Sequence, residues 1–256
     1  MSPFRQLALG AAWLVFIVGT CTALNATAGK TSEAAPLAGG ALPPEVVDSA
    51  SSPFTESDSP STTVITKTVT PPPSVLPARP GVPVSIDIPF PSSNYPDGMR
   101  ANVTSNPLNG NGSLFVPDDP KTVSWANQDA APGSDHGTII LTSHINFVID
   151  GSLVHGAFAD LAEYARTSVG KVLTLGLADG RHLKYKVVAG REYSKEELAA
   201  DPNLRVDLFN QTGRYGAPGK PKTSRLLLVS CGGAFDNATG EYEDNVFLYA
   251  LPVAAT

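Results

Sequence analysis

The sequence predicts a mainly β domain with short helices, either a mixed barrel or a sandwich, preceded by a membrane segment and a disordered stalk. Three observations point there. From residue 84 onward, short apolar runs recur at close spacing between turn residues, with only brief helical patterning. Residues 25–83 are rich in Ala, Ser, Thr and Pro with few large apolar side chains, so they bury too little surface to offset the entropy of ordering. Leu7 to Leu24 runs for eighteen residues without a charge.

The N-terminal segment sets the compartment. Arg5 precedes the apolar run and a long acidic, polar chain follows it, so the positive-inside rule leaves the N-terminus in the cytoplasm and the remainder outside. Residues 1–24 then read as a retained single-pass anchor or a signal segment. Val18-Gly19-Thr20-Cys21 distantly resembles a lipobox, in which Cys21 would be lipidated; the alternative is a small residue within a membrane helix. Either way the chain is tethered to the cell membrane with its folded part on the extracytoplasmic face. The Pro-containing stretches of residues 25–83 stiffen a stalk that holds the domain, residues 84–256, off the membrane. A net charge of −6 with no basic cluster argues against nucleic acid as a partner.

Within the domain, Val84-Ser85-Ile86-Asp87-Ile88 alternates as a half-buried strand, ended by Pro89 and Pro91. Repeated turn signals from Pro91 to Asp119 predict short strands and long loops, with Trp125 following as a core or pocket-wall aromatic. Gly137 to Asn146 is an apolar strand that ends on His144. Phe158, Leu161, Ala162 and Ala165 share one helical face, and Gly170 is placed to end that helix. Val172 to Leu177 and Leu183 to Val188 form a hairpin through Ala178-Asp179-Gly180-Arg181. Arg191 to Gly219 is mostly polar, with one helical turn at Glu196 to Ala200, and reads as a lid or substrate-binding loop. Leu226 to Val229 and Asn245 to Leu251 are the last strands.

Chemistry concentrates at two strand ends. Cys231 closes the Leu226 to Val229 strand and opens a Gly232-Gly233 turn, where the backbone approaches a ligand closely. Free cysteine is among the most buried residue types, so a packed core thiol competes with a nucleophile. The extracytoplasmic setting favours the nucleophile, because a lone thiol there needs a chemical reason. His144 repeats the arrangement at its own strand end and has the proton-transfer chemistry a thiol requires, whereas His136, His155 and His182 read as loop or turn residues. No pair of His, Cys or carboxylates has metal-ligand spacing, so neither a catalytic metal nor a cofactor is expected.

These pieces together resemble the sortases, Gram-positive cysteine transpeptidases that attach proteins to the cell wall. The resemblance runs from about Val84 to Val253. It rests on Gly137-Thr138-Ile139-Ile140-Leu141-Thr142-Ser143-His144 and on Leu228-Val229-Ser230-Cys231-Gly232-Gly233, with Ser230 where the family has Thr. Phe235-Asp236, Thr239-Gly240, Tyr242 and Asp244-Asn245-Val246 are similar to the class E and F branch.

The resemblance implies an eight-stranded sortase-type barrel and a thioester mechanism. Cys231 would attack an LPxTG-like sorting signal of a secreted protein, and His144 would move protons. An amine acceptor such as a peptidoglycan precursor would resolve the acyl-enzyme. Ser230 and Asn245 are the candidate substrate-binding residues.

One departure stands out: the family carries an arginine on its last strand, and no arginine follows Cys231 here. Arg191, Arg214 or a neutral Asn245 hydrogen bond are the possible substitutes, while Arg225 lies six residues, about 20 Å, down the strand. Acidic residues between Gly240 and Val246 would oppose a thiolate if they faced it. Three readings follow: a transpeptidase, a tethered module that binds a peptide or cell-wall fragment without turnover, and a cysteine hydrolase that releases peptides to water.

Overall fold

The computed structural model describes residues 79–216 and 222–253. The expected membrane segment, and the expected stalk as far as residue 78, lie outside the described residues. Among the described residues no helix is long and apolar enough to cross a membrane.

Eight strands close into a barrel in the order β1-β2-β3-β4-β9-β10-β8-β7. They are β1 (Pro83–Ile88), β2 (Met99–Asn106), β3 (Val123–Ala126), β4 (Thr138–Thr142), β7 (Val172–Leu177), β8 (His182–Ser194), β9 (Arg225–Asp236) and β10 (Glu241–Pro252). A separate two-stranded ribbon, β5 (Asn146–Ile149) with β6 (Ser152–His155), follows β4 directly. Three short helices complete the described part: α1 (Leu161–Thr167), α2 (Lys195–Ala200) and α3 (Pro202–Leu208). The expected eight-stranded barrel with few helices is therefore the observed architecture.

Strand alternation sorts the wall into two cores. Ile86, Ile139, Leu141, Leu226, Leu228, Val246 and Leu248 face inward, where α1 adds Leu161 and Tyr164 and the turn before it adds Phe158. The alternate residues Ile140, Leu227, Val229, Phe247 and Tyr249 face outward and are covered by Leu114, by Leu198 of α2 and by Leu208 of α3. Strands buried on both faces read as continuous apolar runs, which is why Leu226-Leu227-Leu228-Val229 shows no alternation.

Most neighbours are antiparallel, but β2 with β3 and β4 with β9 pair parallel. A parallel pair needs a crossover, and everything from β5 through α3 makes the one between β4 and β9.

Several expectations need correction. The polar stretch after Arg191 is not one long loop: β8 continues to Ser194, whose hydroxyl caps α2, and Asp201 caps α3 with Pro202 at its start. Polar composition hid the last turn of β8 because its residues sit at the barrel rim. The α1 helix spans Leu161–Thr167, later than the apolar face beginning at Phe158 suggested. His155 is the last residue of strand β6, while His182, beside the Asp179-Gly180-Arg181 turn as expected, opens β8. The strand expected from Gly137 to Asn146 stops at Thr142, and Asn146 instead opens the β5–β6 ribbon. Its Asp150-Gly151 turn, with φ of 50° and 75°, is the two-residue hairpin turn that Asp-Gly favours.

Candidate active site

The parallel β4–β9 ladder brings two distant strand ends to one level. Thr138 pairs with Arg225 and the register holds to Thr142 with Val229. Two residues beyond that last pair on each strand come His144 and Cys231. Ile140 and Val229 belong to the outer core; alternation along β9 carries Cys231 to that same outer side, and His144 follows Thr142, the last residue of β4, which shares that side with Ile140. On the other flank of Cys231, antiparallel pairing sets Asn245 of β10 directly opposite it, and Tyr193 of β8 opposite Asn245. The row across the barrel wall is therefore His144, Cys231, Asn245, Tyr193, with neighbouring strands about 4.8 Å apart.

Cys231 is half-buried and forms no disulfide. His144 is 6% exposed, packs its ring 5.0 Å from that of Phe147, and has an Nδ1 without a hydrogen-bond partner. Asn245 is 1% exposed, and neither Nδ2 nor Oδ1 meets a partner. Ser230 lies apart from this row. Its alternation with Cys231 turns it toward the interior, and its hydroxyl donates to the Cys231 carbonyl at 2.9 Å.

The backbone around the histidine is pinned. Ser143 Oγ donates to Thr122 O at 2.8 Å, and Phe158 N–H donates to the His144 carbonyl at 3.1 Å. Thr142 on the same strand donates its hydroxyl to Phe115 O at 2.6 Å, which draws the loop between β2 and β3 against the outer face beside the row.

The acids near Cys231 divide by face. Asp244 pairs with Gly232 and Glu192 with Val246, positions that alternate to the inner side of the rim. There Glu192 Oε1 accepts from the Gly233 N–H at 3.0 Å, and Asp244 packs so close to Gly233 that a Cβ on it would meet the carboxylate at 2.2 Å. Gly233 holds φ +72°, so this rim bulge needs glycine twice over. The feared cluster thus stands mostly on the opposite side of the sheet from the thiol, with exposed Glu243 as the nearest acid along β10 on the outer side.

The cations divide as clearly. Arg225 is 7% exposed at the far end of β9, donating to the Leu208 carbonyl at 2.9 Å, to the Asp207 carbonyl and to Thr138 Oγ1, so its role is structural. Arg214 pairs with Asp135 near the start of β4, away from His144. Arg191 lies on the outer side of β8, opposite Phe247 and two residues before Tyr193. Its Nη1 donates to Gly190 O at 2.8 Å. Burial pushes the Tyr193 phenol up; the Arg191 charge and hydrogen bond pull it back, while Glu197 pushes it up. Arg191 is thus nearer the row than Arg225 on this face, about 12 Å from Cys231 across two strand spacings and two residues along the strand.

No family model matches the sequence, and no curated protein matches it. Solved structures do resemble it. The complex of Streptococcus agalactiae sortase C1 with MTSET has 12% identity and a TM-score of 0.43, over 69% of this chain and 71% of that one. Sortase A from Corynebacterium diphtheriae has 15% identity and a TM-score of 0.44, over 70% of this chain and 63% of that one. Sortase C from Clostridium perfringens SM101 has 13% identity and a TM-score of 0.42, over 70% and 73%. What the site can do follows from its own residues.

A thiol with an imidazole on one side and an amide on the other suits acyl transfer. Among the described residues no group of three or more His, Cys, Asp or Glu is placed to hold a metal. A cleft of about 510 Å³, lined in part by Ser85, Asp87, Arg100, Asn102 and His182, lies on the opposite wall and takes no part in this row.

Tyr193 and the β5–β6 ribbon are the parts of the site that the sequence reading passed over. Tyr193 has no signal of its own, because its place depends on the pairing of β8 with β10. The ribbon had one in Asp150-Gly151 between apolar runs. Asn146 Nδ2 ties it to Tyr242 Oη at 3.0 Å, and His155 Nδ1 lies 2.8 Å from Asn146 Oδ1, so the ribbon is fastened to the β9–β10 hairpin beside Cys231.

Proposed function

We propose that the chain is a membrane-anchored cysteine transpeptidase of the sortase kind, class E or F-like, acting on an extracytoplasmic LPxTG-like sorting signal. The observation that supports this reading is the parallel β4–β9 register, whose last pair, Thr142 with Val229, stands two residues before His144 and two before Cys231. The Cys231 thiolate attacks the scissile carbonyl and forms a C–S bond. His144 in its imidazolium form favours the thiolate and then gives its proton to the departing amine as the C–N bond breaks. An incoming amine, such as that of a peptidoglycan precursor, attacks the thioester, loses its proton to His144 and expels the thiolate. Asn245, beside the thiol on the side away from His144, donates from Nδ2 to the carbonyl oxygen as negative charge develops there.

The test is to incubate the full-length chain with LPxTG-type peptides and a glycine-based amine, followed by mass spectrometry. A mass adduct on Cys231 that transfers to the amine, and is absent in Cys231→Ala and His144→Ala, is the expected result. Transfer to water alone would identify a hydrolase. The absence of any adduct across a peptide panel would overturn the enzymatic reading.

A second reading is favoured by one observation: an uncharged, deeply buried Asn245 stands beside Cys231, and no arginine follows in β10. On this reading the domain is a tethered module that binds peptide or cell-wall fragments without turnover. Peptide binding without an adduct, together with a Cys231 that alkylates no faster than a free thiol, would select it.

A further inference from the structure

His144 is held by a segment far from it in sequence, and the contact is too close for any side chain. An ideal Cβ built on Gly156 would lie 2.1 Å from the His144 carbonyl oxygen, 2.5 Å from its carbonyl carbon and 2.9 Å from its Cβ. Real Cβ atoms do not approach backbone this closely, so a residue other than glycine at 156 must displace the histidine backbone by about 1 Å. Gly156 N–H donates to the Ile145 carbonyl at 2.6 Å, and Phe158 N–H donates to the His144 carbonyl at 3.1 Å. The segment 156–158 thus grips the chain at His144 and at the residue after it.

That grip is braced from behind. Tyr95 Oη donates to the Gly156 carbonyl at 2.5 Å and accepts from Lys121 Nζ at 3.2 Å. Tyr95 is presented by a tight turn in which its own carbonyl accepts from both Ser92 N–H and Gly98 N–H, each at 3.0 Å. Asp160, 5% exposed, docks this turn: its carboxylate accepts from Ser92 Oγ at 2.8 Å, from Asn94 N–H at 2.6 Å and from Asn94 Nδ2 at 2.5 Å. A continuous chain of short contacts therefore runs from a buried carboxylate through Tyr95 and Gly156 to the backbone of His144.

We propose that Gly156 and Tyr95 are positioning residues for His144, setting the imidazole relative to the Cys231 thiol. The inference rests on the Cys231–His144 pairing proposed above. Tyr95 contacts neither residue of the pair. It acts through the Gly156 carbonyl, and a displacement of about 1 Å at a reacting group lowers a rate by about 10²-fold.

The experiment uses the full-length chain and reads the rate of Cys231 alkylation by iodoacetamide from pH 5 to 9, with thermal unfolding in parallel. Tyr95→Phe keeps the ring and removes the donor, so it is the variant that folds; Gly156→Ala is the severe one. Relative to wild type, the neutral-pH rate is expected to fall about 3- to 10-fold in Tyr95→Phe and about 10²-fold in Gly156→Ala, with the profile shifting toward that of an unassisted thiol. Neither change should slow alkylation further in a His144→Ala background, which a general structural weakening would do. A His144-dependent rate that both variants leave unchanged, or losses equally large without His144, overturns the proposal alone. Equal rates for wild type and His144→Ala overturn the Cys231–His144 pairing, and the proposal with it.

Discussion

Asn245 holds two buried polar atoms without partners, and an arrangement of that kind costs the folded state about 1–3 kcal/mol. Replacing it with the nearly isosteric Leu removes the unmet groups. Asn245→Leu is therefore expected to stabilise the chain by about 1 kcal/mol in urea titrations while slowing acylation by about 10²-fold. A loss of stability together with unchanged acylation would show that the amide serves the fold and not the reaction. Asp129 gives a second residue-scale prediction. Burial raises its carboxyl to about 6, against 3.8 for the unperturbed group. Between those values the folded chain holds a proton that the unfolded chain has lost, so stability falls as pH rises through that window. Asp129→Asn should remove this slope and raise stability at pH 7 by about 1–2 kcal/mol, read from urea midpoints at pH 4 and pH 7.

Among the elements, the α2–α3 cover depends on one buried cation. Arg225 binds the last carbonyls of α3, and its guanidinium carbon lies 4.3 Å from the Tyr215 ring centroid and 5.1 Å from that of Tyr249. Arg225→Met keeps the volume but leaves those carbonyls unmet. It should cost about 3 kcal/mol in denaturant and speed amide exchange across α3, with little change at the thiol, which lies at the other end of β9. The β5–β6 ribbon is a lighter case. A lone hairpin is marginal in water, so Asn146→Ala, which cuts the link to Tyr242, should raise exchange in residues 146–155 while moving the melting temperature by only a degree or two.

Element by element, the sequence was most legible where local pattern and burial agree. Val84 to Ile88 alternates, and Ala178-Asp179-Gly180-Arg181 announces its hairpin, with Gly180 at φ +83°. The continuous run Leu226 to Val229 revealed a strand covered on both faces. Legibility failed where pairing across strands decides the outcome. The row His144, Cys231, Asn245, Tyr193 exists only through the registers of three ladders, and nothing local marks Tyr193 as a neighbour of Asn245. The acids before Val246 looked hostile to a thiolate because a linear reading cannot see that Asp244 turns to the far side of the sheet.

For the molecule as a whole, two apolar cores share the wall made by β4, β9, β10 and β8, and the outer one underlies the active row. Phe247 is fully buried there, against Tyr193 at 5.8 Å and Phe209 at 6.3 Å between ring centroids. Phe247→Ala should cost about 3–4 kcal/mol and, by loosening Tyr193, alter Cys231 alkylation as well. An inner-core change of similar size, Leu175→Ala on β7, should lower the unfolding midpoint without that second effect. The β4–β9 ladder carries one more consequence. Its partners Thr138 and Arg225 are 87 residues apart in the chain, about half the length of the domain, so this seam is a long-range contact that is slow to close. Until then Cys231 is an ordinary thiol with no imidazole beside it. A slip of one residue between the two strands would turn their ends to opposite faces of the sheet and part the two groups. On the proposed pairing, an immature or misfolded copy leaves this sulfur without its imidazole, and activation of the thiol would double as a report that the barrel has closed.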